Sequence, residues 1–123
     1  MKKIWIFVGL SGALGVVVGA MSAHLLADIL SVKELARVQT AATYQLYHTI
    51  TLVALCAFYL FKPSSIVKLS CILFVWGIVL FSGSLYLYTA SYYQPLVFLT
   101  PIGGLLFIIG WLNLVRLAFN KLH

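Results

Sequence analysis

Four apolar stretches, each long enough to cross the hydrocarbon core of a bilayer, constrain this chain more than any other feature. They occupy about residues 4–26, 41–61, 66–89 and 95–117 of the 123 residues. A helix needs roughly 20 mostly apolar residues to cross ~30 Å of hydrocarbon, and lipid leaves its backbone no other hydrogen-bond partners. The pattern therefore predicts an all-α fold: a single transmembrane domain over residues 1–123, built as a four-helix bundle.

Composition excludes the soluble alternatives. Hydrophobic residues make up 63% of the chain and charged residues 8%, whereas a soluble domain carries roughly 25% charge. Such a chain cannot cover a water-exposed surface, which excludes most soluble enzymes, nucleic-acid-binding proteins and disordered proteins. The predicted partner is the lipid bilayer, not nucleic acid.

The N-terminus resembles a signal peptide, since Lys2 and Lys3 precede an apolar run that ends in small residues. That run is longer than the 7–15 residues of a signal-peptide core. We therefore expect an uncleaved first membrane helix.

A polar connector over about residues 27–40 separates the first two stretches. Within it, Ser31 and Glu34 have the spacing of a capping box, in which each side chain bonds the other residue's backbone amide. This pattern predicts a helix that begins at Val32 and continues into the second stretch.

The basic residues indicate the orientation in the membrane. The side that holds both termini carries only basic charges, on Lys2, Lys3, Lys62, Lys68, Arg116 and Lys121. On the opposite side, Lys33 and Arg37 are offset by Asp28 and Glu34. The positive-inside rule then predicts a multi-pass protein of the cytoplasmic (inner) membrane with both termini in the cytoplasm, N-in and C-in.

Aromatic residues near the ends of the stretches fit interfacial belts. We assign Tyr86, Tyr88, Tyr92 and Tyr93 to the outer belt. Trp5, Tyr59 and Trp111 are assigned to the inner belt.

Small residues indicate where helices approach closely. Ser11, Gly15, Gly19 and Ala23 recur every four residues in the first stretch, and such a stripe either packs within the chain or forms a homo-oligomer. The fourth stretch carries Gly103, Gly104 and Gly110. Pro101 either kinks its helix or starts it, with Thr100 as the cap, because proline lacks the amide hydrogen.

Polar side chains are predicted to converge in the outer half of the bundle. His48 and Ser82 each lie roughly 10 Å below the outer surface, at 1.5 Å per helical residue. The candidate ligand-binding residues are His24, Tyr44, Gln45, His48, Ser82, Ser84, Tyr86 and Thr100. These groups either bind a ligand or only satisfy one another. The inner half is expected to be dry apart from Asn113.

Neither a metal site nor catalysis is predicted. His24, Asp28 and His48 match no zinc spacing, and Cys56 and Cys71 are expected to be buried, inert thiols rather than a disulfide or a sensor pair. No carboxylate lies inside a stretch, and no nucleophile elbow surrounds the serines near residue 83. We therefore expect no cofactor and no enzymatic activity.

Four ordered motifs resemble those of one family. They are Gly19-Ala20-Met21-Ser22-Ala23-His24, Tyr44-Gln45-Leu46-Tyr47-His48, Phe81-Ser82-Gly83-Ser84-Leu85-Tyr86 and Thr100-Pro101-Ile102-Gly103-Gly104 with Gly110-Trp111. Nearly the whole chain is thereby similar to the small bacterial membrane proteins of domain of unknown function 423, related to eukaryotic transmembrane protein 256. The family motif more often has Phe and Gly at positions 21 and 22. The resemblance implies a four-helix inner-membrane protein and no assigned reaction.

The sequence thus favours a binding or accessory protein that holds a lipid-like or small polar ligand. One alternative is an oligomeric transporter of small solutes that uses His48, whose charge can change near neutral pH. Another is a purely structural or scaffold protein.

Overall fold

The computed structural model describes residues 1–120, so Lys121, counted above among the basic residues, lies outside the described part. The predicted all-helical fold is confirmed. Four helices are long and apolar enough to span a membrane: Lys2–Ala23, Val32–Phe61, Ser65–Ser91 and Gln94–Ala118. A short helix, Leu25–Ile29, lies in the connector. We call the end of the bundle with this short helix the connector end, and the end with the N-terminus the terminal end.

The second spanning helix begins at Val32, as the capping box predicts. The Ser31 hydroxyl accepts a hydrogen bond from the Glu34 amide at 3.1 Å, and the Ser31 amide donates to Glu34 Oε1 at 2.9 Å. Two otherwise unpaired amides at the helix start are thereby satisfied. This explains why the helix extends beyond the apolar stretch at its connector end.

The second and third helices form the centre of the bundle. The first helix packs mainly on the second, and the fourth packs mainly on the third. Their buried apolar side chains meet in one cluster: Val8, Leu52, Cys56, Val67, Cys71, Phe74, Ile78 and Phe107. Cys56 and Cys71 are free and buried, as expected.

Glycines on the third and fourth helices pack against phenylalanines of the opposite helix. A Cβ on Gly103 would lie 2.3 Å from the backbone nitrogen of Phe81, well inside contact distance. The other two pairs are Gly110 with Phe74 and Gly77 with Phe107. Because lipid gives helices no hydrophobic reason to associate, this close fit supplies much of the attraction between the two helices.

The first helix uses only part of its small-residue stripe. Ser11 and Gly15 are buried against the second helix, where a Cβ on Gly15 would lie 2.6 Å from Leu46 Cδ2. Gly19 and Ala23 are exposed. The part of the stripe at Ser11 and Gly15 therefore packs within the chain and is not free for a homo-oligomer.

The fourth helix begins with a tight 3₁₀ segment, Gln94–Phe98, and becomes α-helical at Leu99. Pro101 thus lies in the first α-helical turn, where a missing amide hydrogen costs little. Of the two alternatives, the structure agrees with a helix start, but Thr100 does not cap it. No side chain among residues 1–120 caps this start, and the Thr100 hydroxyl bonds to Ser84 instead.

The third helix contains a π-helical turn, Ile78–Ser82, between its two α-helical parts. The Gly83 amide donates to the Ile78 carbonyl, five residues back instead of four. Phe81, which touches Gly103, and Ser82 both lie in this wider turn. Turns of this kind often mark functional sites.

Candidate functional site

A groove of about 630 Å³ separates the second and fourth helices. We call it the His48 groove. Its walls are mostly apolar: Thr40, Tyr44, His48, Phe81, Pro101, Gly104, Leu105, Phe107, Ile108 and Trp111. Tyr44 and Trp111 are 43% and 46% exposed, and Leu105 and Ile108 are also exposed. The groove therefore opens sideways, towards the lipid around the bundle.

His48 forms the polar part of the groove wall, and both of its ring nitrogens have partners. Nδ1 lies 2.7 Å from the Tyr44 carbonyl oxygen, and Nε2 lies 3.0 Å from Trp111 Nε1. Because a carbonyl only accepts and an indole only donates, Nδ1 carries the proton and Nε2 accepts. His48 is thus a neutral imidazole of defined tautomer. Its ring stacks on Phe107 with a centroid distance of 3.7 Å.

A second groove, of about 530 Å³, lies between the first and third helices. We call it the Gln45 groove. Gln45 Nε2 donates to the Ser11 carbonyl oxygen at 2.9 Å, and Gln45 Oε1 accepts from the Tyr86 hydroxyl at 2.7 Å. Ser11 also shares a hydrogen bond with Thr49 at 2.8 Å. One amide side chain therefore joins three helices.

A third cavity, of about 290 Å³, lies at the connector end and is lined by Arg37, Leu85, Tyr88, Val97, Thr100 and Pro101. We call it the Arg37 pocket. The Arg37 guanidinium carbon lies 4.7 Å from the centre of the Tyr88 ring, and Arg37 Nη1 lies 3.5 Å from Thr89 Oγ1. These contacts hold a cation in the wall of the pocket.

The structure divides the eight predicted residues instead of gathering them in one cluster. Tyr44 and His48 line the His48 groove, whereas Gln45, Ser82 and Tyr86 line the Gln45 groove. The division arises because neighbouring residues on a helix, such as Tyr44 and Gln45, point about 100° apart.

The remaining predicted residues lie elsewhere. Ser84 and Thr100 bond to each other across the third and fourth helices. His24 is exposed at the break after the first helix and joins none of these groups. Ser82, although it faces the Gln45 groove, uses its hydroxyl to donate to the Ala41 carbonyl oxygen at 2.7 Å.

The expectation of a dry half at the terminal end is wrong. Asn113 Nδ2 donates to the Ile66 carbonyl oxygen and to Ser70 Oγ, each at 2.8 Å. Arg116 donates to Asn113 Oδ1 at 2.9 Å, and the Ser70 hydroxyl donates to the Gly110 carbonyl oxygen. Ser70 is a polar residue within the third apolar stretch, and this could have indicated hydrogen bonding at the terminal end.

Two aromatic residues assigned to the interfacial belts bond inside the bundle instead. Tyr86 donates to Gln45, and Trp111 donates to His48. The position of Trp111 in the sequence indicates this, since it lies six residues before the end of its stretch, or about 9 Å deep. Interfacial tryptophans usually lie nearer the headgroups.

The residues considered for a metal are not brought together. His24 is exposed, whereas His48 is buried and bonded on both nitrogens. Within residues 1–120, no three His, Cys, Asp or Glu side chains form a group that could hold a metal ion.

Comparison with known proteins supports the resemblance seen in the motifs. A family model described as a protein of unknown function, DUF423, matches residues 18–104, which is most of the chain. The chain belongs to the DUF423 family. No solved structure matches this DUF423 protein.

Its curated relatives carry membrane-protein names. A UPF0382 membrane protein of Haemophilus influenzae is 40% identical over 98% of this chain and 96% of its own length. A relative in Staphylococcus saprophyticus is 40% identical over 96% of this chain and 98% of its own length. The UPF0382 inner membrane protein YgdD of Escherichia coli is 36% identical over 86% of this chain and 81% of its own length. This DUF423 protein is accordingly a multi-pass membrane protein of an uncharacterised family.

Proposed function

We propose that this protein is a membrane binding protein that holds an amphipathic, lipid-like molecule in the His48 groove. The observation that carries the proposal is a groove of about 630 Å³ at mid-span depth, a volume typical of ligand sites. Its apolar walls suit hydrocarbon, and the polar nitrogens of His48 and Trp111 in those walls are already satisfied by hydrogen bonds. The proposed role is binding rather than catalysis.

The Gln45 groove supports a different role. There the Gln45 amide is hydrogen-bonded to Ser11 and Tyr86, and the Ser82 hydroxyl is hydrogen-bonded to the Ala41 carbonyl oxygen. Interhelical hydrogen bonds of this kind contribute about 0.6–2 kcal/mol each to helix association. We therefore assign this side of the bundle to structural stability.

The hydrogen bonds of His48 favour binding over proton-coupled transport. A histidine that carries protons needs a free lone pair, and Trp111 already donates to His48 Nε2. Taking up a proton there would require that hydrogen bond to break.

We also propose that the terminal end faces the cytoplasm, because of the excess of basic residues at that end. A cysteine placed at Tyr93 should react with an impermeant maleimide in intact cells. A cysteine placed at Phe119 should react only after the cells are opened. The native thiols are a low background, since Cys56 and Cys71 have no exposed surface. The reverse pattern would invert the orientation.

The binding role is tested by filling the groove. Gly104 lines it, and a Cβ there meets only Phe81 ring carbons at 3.8 and 3.9 Å, so a side chain can be added. Gly104→Leu should reduce the lipid that native mass spectrometry detects on the protein after release from nanodiscs. Gly9→Leu is the matched control, because a Cβ at Gly9 meets nothing within 4 Å. Equal lipid retention in all three proteins would contradict the proposal.

A further inference from the structure

We infer that the ligand of the His48 groove is an anionic membrane lipid whose headgroup binds Arg37 at the connector end. This inference rests on the proposed function and names the class of molecule that the groove holds.

The His48 groove and the Arg37 pocket lie next to each other. Pro101 lines both cavities, so they meet on the fourth helix. On the second helix, Arg37 lines the pocket, and Thr40, Tyr44 and His48 line the groove. The pocket and the groove therefore adjoin along one face of the second helix, and we expect one molecule to extend over both.

The distance from Arg37 to His48 along the second helix matches the thickness of one leaflet. The eleven residues from Arg37 to His48 correspond to about 16 Å of helix. One leaflet of the hydrocarbon core is about half of 30 Å thick. A lipid with its headgroup at Arg37 would thus place its acyl chain along Tyr44 and end it near His48 and Trp111.

Arg37 places a positive charge beside the pocket. Arg37 contacts neutral groups: the Thr89 hydroxyl, the ring faces of Tyr88 and Tyr92, and the Tyr92 hydroxyl. Ring faces attract a cation without cancelling its charge. The Glu34 carboxylate, three residues before Arg37, bonds to the Ser31 amide and the Tyr92 hydroxyl, and it interacts with the Arg37 charge from a distance. Arg37 is therefore held in place, Glu34 offsets part of its charge, and the guanidinium forms no direct ion pair among the described residues that would exclude an anion.

The geometry of the guanidinium group matches a phosphate. Its fork of N–H donors binds phosphate oxygens in pairs. A basic residue near the membrane surface raises the affinity for an anionic lipid by about fivefold. A zwitterionic headgroup should bind this site less tightly, because its ammonium group lies near its phosphate and is repelled by the guanidinium.

The test uses Trp111, which lines the groove, as a fluorescent probe. A variant with Trp5→Phe and Trp76→Phe keeps Trp111 as its tryptophan. This variant is reconstituted in nanodiscs that contain either brominated phosphatidylglycerol in phosphatidylcholine or brominated phosphatidylcholine in phosphatidylglycerol. Bromine on the acyl chain quenches a tryptophan that it contacts. We expect phosphatidylglycerol to bind beside Trp111 about fivefold better than phosphatidylcholine.

The headgroup assignment is tested on the same background with Arg37→Gln, which should abolish the preference. Lys33→Gln is the matched control, because it removes an equal charge from the same helix at an exposed position outside the pocket. An equal loss in both variants, or no preference in the parent protein, would overturn the inference.

The effect of Gly104→Leu on quenching separates a groove that binds lipid without headgroup preference from a groove that binds no lipid. If the groove binds lipid without regard to the headgroup, Gly104→Leu lowers quenching by both brominated lipids equally. If the groove binds no lipid, Gly104→Leu changes neither. Leu105→Phe, which narrows the groove from an exposed position on the same helix, repeats the test should Gly104→Leu not fold.

Discussion

Trp111 Nε1 donates a hydrogen bond to His48 Nε2 across the gap between the fourth and second helices. These helices make few other contacts, since the fourth packs mainly on the third. One hydrogen bond, together with the stacking of His48 on Phe107, therefore holds the floor of the groove. It also fixes which imidazole nitrogen carries the proton.

Trp111→Phe should destabilise the bundle by about 0.6–2 kcal/mol, because it leaves His48 Nε2 without its donor. Unfolding of the purified protein by SDS in mixed micelles measures the change. In the native protein, ¹⁵N NMR should show a protonated Nδ1 and an unprotonated Nε2 on His48. Trp5→Phe, at an outward-facing site of the terminal end, is the control. A native His48 with the proton on Nε2 would contradict the assignment.

Gly103→Ala should destabilise the protein by about 1–3 kcal/mol, because the added methyl group would overlap the backbone of Phe81. The neighbouring Gly104→Ala gains the same helix propensity, but its methyl group meets only ring carbons at ordinary contact distance. Its stability should change by less than about 0.5 kcal/mol. Equal effects of the two substitutions in the same unfolding assay would refute the close approach.

Gln45→Leu and Tyr86→Phe should show energetic coupling. Each substitution breaks the same hydrogen bond between the second and third helices. The double variant should therefore be more stable than the sum of the single effects predicts, by about 0.6–2 kcal/mol. Thr51→Val with Tyr86→Phe is a control pair, because the Thr51 hydroxyl bonds within its own helix, to the Tyr47 carbonyl oxygen, and not to Tyr86. Strict additivity for Gln45 and Tyr86 would argue against the contact.

The connector end should loosen at high pH. The hydrogen bond to Glu34 raises the pKa of Tyr92, which lies in the turn between the third and fourth helices, above its ordinary value of 10.0. Since the folded state holds the proton more tightly, the stabilisation is present below about pH 10 and is lost as pH rises through the raised pKa.

Ultraviolet absorbance of tyrosinate, compared between the native protein and Tyr92→Phe, isolates this titration. Glu34→Gln should return the midpoint towards the ordinary value. A midpoint of Tyr92 that Glu34→Gln leaves unchanged would assign the shift to another cause.

The sequence predicts the spanning helices well because their signals are local. Apolar length defines the four helices, and the pair Ser31 and Glu34 defines the start of the second. It predicts the site less well because pairing between helices is not local. Whether Tyr44 or Gln45 shares a groove with Ser82 depends on which neighbour each helix face meets.

The π-helical turn adds to this difficulty. One extra residue in a turn rotates everything beyond it by about 100°, so ordinary helical angles drawn from one side of Ile78–Ser82 fail on the other. No residue in that turn signals the change. Trp111 was missed for a related reason, since tryptophan near a helix end is usually interfacial.

The lateral opening of the His48 groove determines how its occupancy must be counted. A molecule that enters from the side arrives by two-dimensional diffusion within one leaflet. Its abundance relative to other lipids then governs binding, and its molarity in the surrounding water does not. Under the proposed function, the dissociation constant of the lipid is therefore expressed as a mole fraction of the bilayer. Extraction into excess detergent should then empty the groove by dilution, even when binding in the native bilayer is saturated.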